Sequence, residues 1–288
     1  MGAVLLDTVE AVRAFIARER RSGPVGFVPT MGALHAGHAR LIEHARRECA
    51  LVVVSIFVNP LQFDRADDLR EYPRTLDADR AFCDELRVDC VFAPDVTEVY
   101  PVPPQCTVEV ARLADHLCGR TRKDHFRAVA TIVLKLLQII QPQRAYFGEK
   151  DAQQLAIVRR LVSDFSVPVT VVEVPTAREA DGLALSSRNR LLSADDRRLA
   201  TALYSALREA DRQIRIGVTD TDRIKQAALA RVSIHPALRL EYLEIVDPDE
   251  MQPVATVTGP VRVAAALWVG RVRLIDNLLS IPGQTESE

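Results

Sequence analysis

Two histidines three residues apart, His35 and His38, with Gly37 between them, are the first residues of the chain whose types and spacing suggest chemistry. At the start of a helix they would share one face of its first turn, beside unpaired backbone N–H groups and the positive end of the macrodipole. Gly37 has no side chain, so a flat ligand can lie against the backbone there. The chemistry implied is phosphate handling. A metal reading of the pair needs a third ligand, and no His or Cys cluster supplies an obvious one. Asn59 and Gln62 place two neutral amides after an apolar run. Such amides can hold a carboxylate without neutralising the charge that makes it nucleophilic. A third group is Gly148, Glu149, Lys150, Asp151 and Gln154. There a lysine can act as a point charge on phosphates and Asp151 can accept from ribose hydroxyls. The fourth, Leu185, Ser186, Ser187 and Arg188, suits a phosphate clamp that closes on a nucleotide. No convincing Ser-His-Asp or Cys-His pattern stands out in the sequence.

The elements that must position these residues follow from periodicity. Apolar runs at 25–28, 51–58, 90–93, 145–147 and 169–174 have the character of buried parallel strands. Helical patterns at 36–49, 75–87, 127–140 and 151–164 alternate with them, and a helix capped by Asp7 or Thr8 precedes them. This alternation predicts a doubly wound α/β domain, with the first three polar groups at the carboxyl ends of strands. After a turn at Asp181 and Gly182 the pattern changes to helices at 193–214 and 220–232 and strands near 240–246, 261–267 and 271–275. The expected division is 1–177 and 178–288, the second domain smaller and α+β. The tail from Gln284 to Glu288 is expected to fray.

Composition narrows the class. A chain of 288 residues can build a substantial core, and a net charge of -2 gives no global attraction to nucleic acid or membrane. No apolar run approaches a membrane span, and the amphipathic start is not a signal peptide. Five cysteines without a CxxC pair are read as reduced thiols of a cytoplasmic protein.

The runs from Pro29 to His38, Phe57 to Phe63, Gly148 to Gln154 and Asp181 to Asn189, in this order, closely resemble the pantoate:β-alanine ligase (pantothenate synthetase) family of HIGH-motif nucleotidyltransferases. The resemblance implies a Rossmann-like domain with a smaller C-terminal lid, a homodimer, and ATP with Mg²⁺. The implied reaction condenses (R)-pantoate with β-alanine through a pantoyl adenylate, releasing AMP and pyrophosphate. Carried onto this chain, Met31, Gly32, Ala33, Leu34, His35, Ala36, Gly37 and His38 fall on ATP-binding positions. So do Gly148, Glu149, Lys150, Asp151, Ala177, Leu185, Ser186, Ser187 and Arg188. His38, His35, Lys150 and Arg188 are expected to act on the phosphates, and Gln62, Gln154, Met31, Asn59 and Arg122 on the substrate side. Asp79, in an acidic pair with Asp77, is expected near the metal. One departure stands in the loop from Arg120 to Phe126, where Lys123 and Asp124 occupy positions that usually carry smaller residues, often Pro or Gly. The alternatives are another HIGH-type adenylyl- or cytidylyltransferase acting on a phosphate ester, which has no need of paired amides, or a non-catalytic nucleotide-binding module.

Overall fold

Strands that read as unbroken apolar runs belong in a parallel sheet covered on both faces. Such a sheet is present in the computed structural model, which describes residues 2–20, 23–232 and 235–283. The tail from Gln284 to Glu288 lies outside these residues. In chain order the elements are β1 (Val4–Leu6), α1 (Val9–Glu19), β2 (Val25–Thr30), α2 (Ala36–Glu48), β3 (Leu51–Ile56), α3 (Ala66–Glu71), α4 (Leu76–Glu85), β4 (Cys90–Phe92) and α5 (Val96–Val99). Then come α6 (Leu117–Thr121), α7 (His125–Ile140), β5 (Arg144–Gly148), α8 (Ala152–Asp164) and β6 (Thr170–Val174). The chain ends with α9 (Ala194–Leu199), α10 (Thr201–Arg215), α11 (Thr221–Leu229), β7 (Leu238–Val246), β8 (Val261–Val269) and β9 (Val272–Ser280).

Two compact units result, and neither is contiguous in sequence. The first comprises Met1–Val110, Arg122–Glu149 and Ile157–Pro175, the second Ala111–Thr121, Lys150–Ala156 and Thr176–Glu288.

The first unit holds a six-stranded parallel sheet in the order β1-β4-β3-β2-β5-β6. From β2 the chain steps outward through β3 to β4, then resumes on the other side of β2 with β5 and β6. The order therefore reverses between β2 and β5, and ligands of such sheets bind outside the carboxyl ends of the strands at that switch. β2 leads to the histidine turn, β3 to Asn59 and Gln62, and β5 ends at Gly148. These three strands are neighbours and parallel, so their exits share one edge of the sheet. Leu41, Ile42 and Ala45 of α2, at helical spacing, join Val28, Val52, Val54 and Tyr146 in one buried cluster. Thr8, as expected, caps α1, accepting the Ala11 N–H at 3.2 Å, and Val12, Phe15 and Ile16 form its buried stripe.

The second unit is α+β. Its strands β7, β8 and β9 form an antiparallel sheet. Leu203, Leu207, Ala210 and Ile214 of α10, with Ile224 of α11, pack into a core with Ile245, Val263, Ala265 and Leu267 of the sheet. The helix expected over 193–214 is divided at Ala200, whose φ of -60° and ψ of -25° keep the chain right-handed between α9 and α10. β1 and the short helices α3, α5 and α6 were not foreseen, because three to six residues are too few to show a period.

All five cysteines are free thiols, four of them buried. Among the described residues no helix is long and apolar enough to cross a membrane.

Candidate active site

The turn after β2 is built to hold the two histidines. Thr30 donates its hydroxyl to the Ser55 carbonyl at 2.7 Å and accepts the Gly32 N–H at 3.1 Å. Gly32 and Ala33 then adopt left-handed torsions, with φ of 80° and 51°. Gly32 is required twice over, since a Cβ there would also approach Asp79 Oδ2 and Ile56 Cγ2 to 3.0 Å. The chain enters α2 with a reciprocal cap: His35 Nδ1 accepts the Gly37 N–H at 3.1 Å and His38 Nδ1 accepts the His35 N–H at 3.3 Å. With both Nδ1 atoms accepting, the proton of each neutral imidazole resides on Nε2, assigned by these bonds. Each ring thus carries an Nε2–H donor, and the centroids lie 4.1 Å apart. Together with the helix N-terminus the pair makes a field suited to an anion.

The amide loop after β3 shares this neighbourhood. Gln62 Nε2 lies 2.9 Å from Met31 Sδ, so the phosphate-type turn and the carboxylate-type amide touch through one side chain. The backbone carbonyl of Gln62 is pinned by two donors, Arg122 Nη2 at 3.1 Å and His125 Nδ1 at 2.8 Å. Arg122 Nη1 meets His125 Nε2 at 3.0 Å, which leaves the His125 proton on Nδ1, and Arg122 Nε pairs with Asp64 at 3.2 Å.

Three of the residues expected at the ligands are bonded within the protein. Asn59, expected to touch substrate, is 1% exposed, and its amide is committed to Gln62 Oε1, the Ala128 carbonyl, the Leu61 N–H and the Tyr100 hydroxyl. It is a brace for Gln62. Arg122, also expected on the substrate, carries bonds to Gln62, His125 and Asp64 and braces the same loop. Asp79, expected near the metal, is 3% exposed and gives its two oxygens to the backbone N–H groups of Leu34 and Ala33, at 2.7 and 2.9 Å, and to the Thr75 hydroxyl. A buried carboxylate holding two orphan N–H groups of a left-handed turn is a structural clamp. Among the described residues no group of three or more His, Cys, Asp or Glu side chains is arranged to hold a metal ion.

The departure at Asp124 has a conformational meaning. Asp124 precedes α7 with φ of 59° and makes no side-chain cap, a left-handed position where glycine is favoured and Asp is among the better-tolerated alternatives.

In the second unit, Lys150, Asp151 and Gln154 stand at the start of α8. Asn277 donates its Nδ2 to the Lys150 carbonyl at 2.9 Å. The Asn277 carbonyl accepts from Arg178 at 3.3 Å, and Arg178 pairs with buried Asp276, fastening this turn to the segment after Ala177. Burial raises the Asp276 carboxyl above its ordinary range, with Arg178 acting in the opposite direction. Among the described residues no carboxylate forms an ion pair with Lys150 or hydrogen bond with Gln154. Gln153 differs from its neighbour. It is 6% exposed, donates to the Leu113 and His116 carbonyls, both at 2.8 Å, and accepts the Cys118 N–H at 3.0 Å. The Leu185 N–H bonds the Ala177 carbonyl at 2.9 Å, and Ser186 Oγ accepts the Arg188 N–H at 3.3 Å, starting the 3-10 turn Ser187–Leu191.

The sequence reading missed Tyr100, Gln153, Arg178 and Asn277 as parts of these constructions. Only Gln153 carried a signal, being the partner of Gln154 in a polar pair at a helix start.

Comparisons with known proteins agree with this architecture. Residues 4–279 match the family model described as Pantoate-beta-alanine ligase. The bifunctional pantoate ligase/cytidylate kinase of Synechococcus elongatus is 53% identical over 276 residues, covering 95% of this chain and 52% of that protein. The chain thus spans about half the length of that curated relative. The crystal structure of pantothenate synthetase from Thermus thermophilus superposes with a TM-score of 0.90 at 46% identity, covering 96% of this chain and 98% of the other. That of pantoate-beta-alanine ligase from Francisella tularensis, complexed with beta-gamma ATP and beta-alanine, gives a TM-score of 0.81 at 34% identity, covering 96% and 97%. By the extent of the family match and by these identities, the chain belongs to the pantoate–β-alanine ligase family.

Proposed function

We propose that the chain condenses (R)-pantoate with β-alanine at the expense of ATP, giving pantothenate, AMP and pyrophosphate. The observation that carries this reading is the contact of Gln62 with Met31, which ties the amide to the turn that leads into the His35 and His38 donors within one unit. The Francisella relative's complex with a nucleotide and beta-alanine supports the substrates. In the first step the pantoate carboxylate, held by Gln62 and Gln154, attacks the α-phosphorus of ATP. A carboxylate–phosphorus bond forms and the bond to pyrophosphate breaks. His35 and His38 donate from Nε2 to phosphate oxygens, and Lys150 and Arg188 stabilise the charge that develops there. In the second step the β-alanine amine attacks the pantoyl carbonyl, AMP leaves with the bonding pair, and the amine gives up its proton. Gly32 to Gly37, Gly148, Glu149, Asp151, Ala177 and Leu185 to Ser187 are assigned to nucleotide binding.

Mg²⁺, when bound, would supply charge neutralisation to the phosphates of the substrate nucleotide. We further propose a homodimer, which sedimentation of the purified chain tests, in the cytoplasm, which fractionation of cells tests.

Neutral amides beside a phosphate cradle favour acyl adenylation over transfer of a nucleotide to a phosphate ester. Exchange of labelled pyrophosphate into ATP, with Mg²⁺ and pantoate but no β-alanine, is the test. Exchange is expected. Its absence, with full product formation once β-alanine is added, overturns the stepwise scheme.

A further inference from the structure

Gln62 can face a ligand with its Nε2–H donors or with its Oε1 acceptor, and only the first suits a carboxylate. We propose that Tyr100 is a positioning residue that acts through Asn59 to hold Gln62 with its donors toward the substrate carboxylate. The inference rests on the assignment of Gln62 to pantoate made above.

The amide atoms of Asn59 are told apart by two backbone groups whose roles admit no exchange. The Leu61 N–H can only donate, so the atom 3.3 Å from it is Oδ1; the Ala128 carbonyl can only accept, so the atom 3.5 Å from it is Nδ2. The Tyr100 hydroxyl, 3.2 Å from Oδ1, must therefore donate. Burial pushes its pKa up to about 12, so it keeps that proton. Its ring is held by the Lys135 ammonium, 5.2 Å from the centroid, which also bonds the Val99 carbonyl, and lies 6.1 Å from the Phe57 ring. With Oδ1 doubly occupied, Asn59 Nδ2 donates to Gln62 Oε1 at 3.2 Å. The acceptor of Gln62 is thereby taken. Among the described residues its Nε2 has one hydrogen-bond partner, the Met31 thioether, a weak acceptor that yields readily to a carboxylate oxygen. The chain from Tyr100 to Asn59 to Gln62 thus converts an ambiguous amide into a donor.

Two variants of the full chain test this, with pantoate-dependent pyrophosphate exchange and steady-state kinetics as readouts. Tyr100→Phe removes one hydrogen bond from the relay. It is expected to raise the pantoate KM by about 3- to 10-fold, with kcat and the ATP KM within about twofold of wild type. Asn59→Asp leaves only acceptors facing Gln62, so the Gln62 amide turns its Nε2 inward and its Oε1 to the ligand. Pantoate should then bind at least about tenfold more weakly, whereas its carboxamide analogue, which can donate, should inhibit several-fold better than it inhibits wild type. Added negative charge alone would weaken the carboxylate without improving the neutral amide. An unchanged pantoate KM in Tyr100→Phe, or loss of pantoate in Asn59→Asp without gain of the carboxamide, overturns the relay. A wild-type chain with neither pantoate-dependent exchange nor pantothenate formation overturns the reaction assignment and the relay with it; activity in wild type with Tyr100→Phe indistinguishable overturns the relay alone.

Discussion

Gln62 and Gln154, the two amides assigned to the same carboxylate, stand in opposite surroundings. Gln62, in the first unit, is bonded at its backbone carbonyl by Arg122 and His125 and at its side chain by Asn59. The side chain of Gln154, in the second, has no hydrogen-bond partner among the described residues, and the structural duty at that turn falls to Gln153. The histidines of the first unit are likewise tied by reciprocal caps, while Lys150 is held at its backbone carbonyl by Asn277 and its side chain acts on Asp276 through charge alone. The difference follows from the groups presented. A neutral dipole stabilises charge only when correctly aimed, so the first unit invests its hydrogen bonds in orientation. A lysine ammonium is a point charge with freely rotating donors, and placing its backbone is enough.

If the second unit supplies charge, Lys150→Ala should be the most damaging change, lowering turnover by on the order of 10² to 10³ with denaturation midpoints unaltered. Near-normal turnover would remove that role. The adjacent glutamines should separate cleanly. Gln153→Ala strips partners from two carbonyls and one N–H and is expected to cost about 2–4 kcal/mol in urea unfolding. Gln154→Ala should change stability by less than about 0.5 kcal/mol while raising the pantoate KM; equal stability losses would dissolve the contrast.

Asp79→Asn tests whether the first unit's turn depends on its clamp. A loss of about 1–3 kcal/mol is expected, with the Mg²⁺ concentration for half-maximal activity unchanged. A shifted Mg²⁺ requirement would return Asp79 to the metal. In the second unit, burial raises the Glu241 carboxyl, but hydrogen bonds from Arg273, Thr121 and Trp268 outweigh it and hold the pKa at about 2. A carboxyl depressed on folding contributes stability fully above its unfolded value and loses it as pH falls toward the folded one. Wild type should therefore lose on the order of 2 kcal/mol relative to Glu241→Gln between about pH 5 and pH 2, and a pH-independent difference between the two would contradict this. The smallest effect is expected at the left-handed position before α7. Asp124→Gly should be neutral or stabilising by up to about 1 kcal/mol, and clear destabilisation would mean that the 3.4 Å pair with Arg127 outweighs the backbone strain.

Much of the scaffold was legible because its signals are local. The unbroken apolar run of β3, the helical stripe of α2 and the Gly37 between two histidines each act within a few residues. The bracing was not legible, because Asp79 reaches Ala33 across 46 residues and Tyr100 reaches Asn59 across 41. No local pattern announces such a bond. Asn59 and Asp79 were expected at the ligands; the bonds they make to the rest of the chain became visible only in the fold.

The sequence by itself determined the strand–turn–helix frame, the α/β alternation and the set of polar groups at strand ends, since propensity and periodicity are properties of neighbouring residues. Only the tertiary structure decided which of those groups face a ligand and which serve as supports. A donor or acceptor is committed by the partner that chain packing brings to it, and that partner is set by strand order and register across the whole sheet.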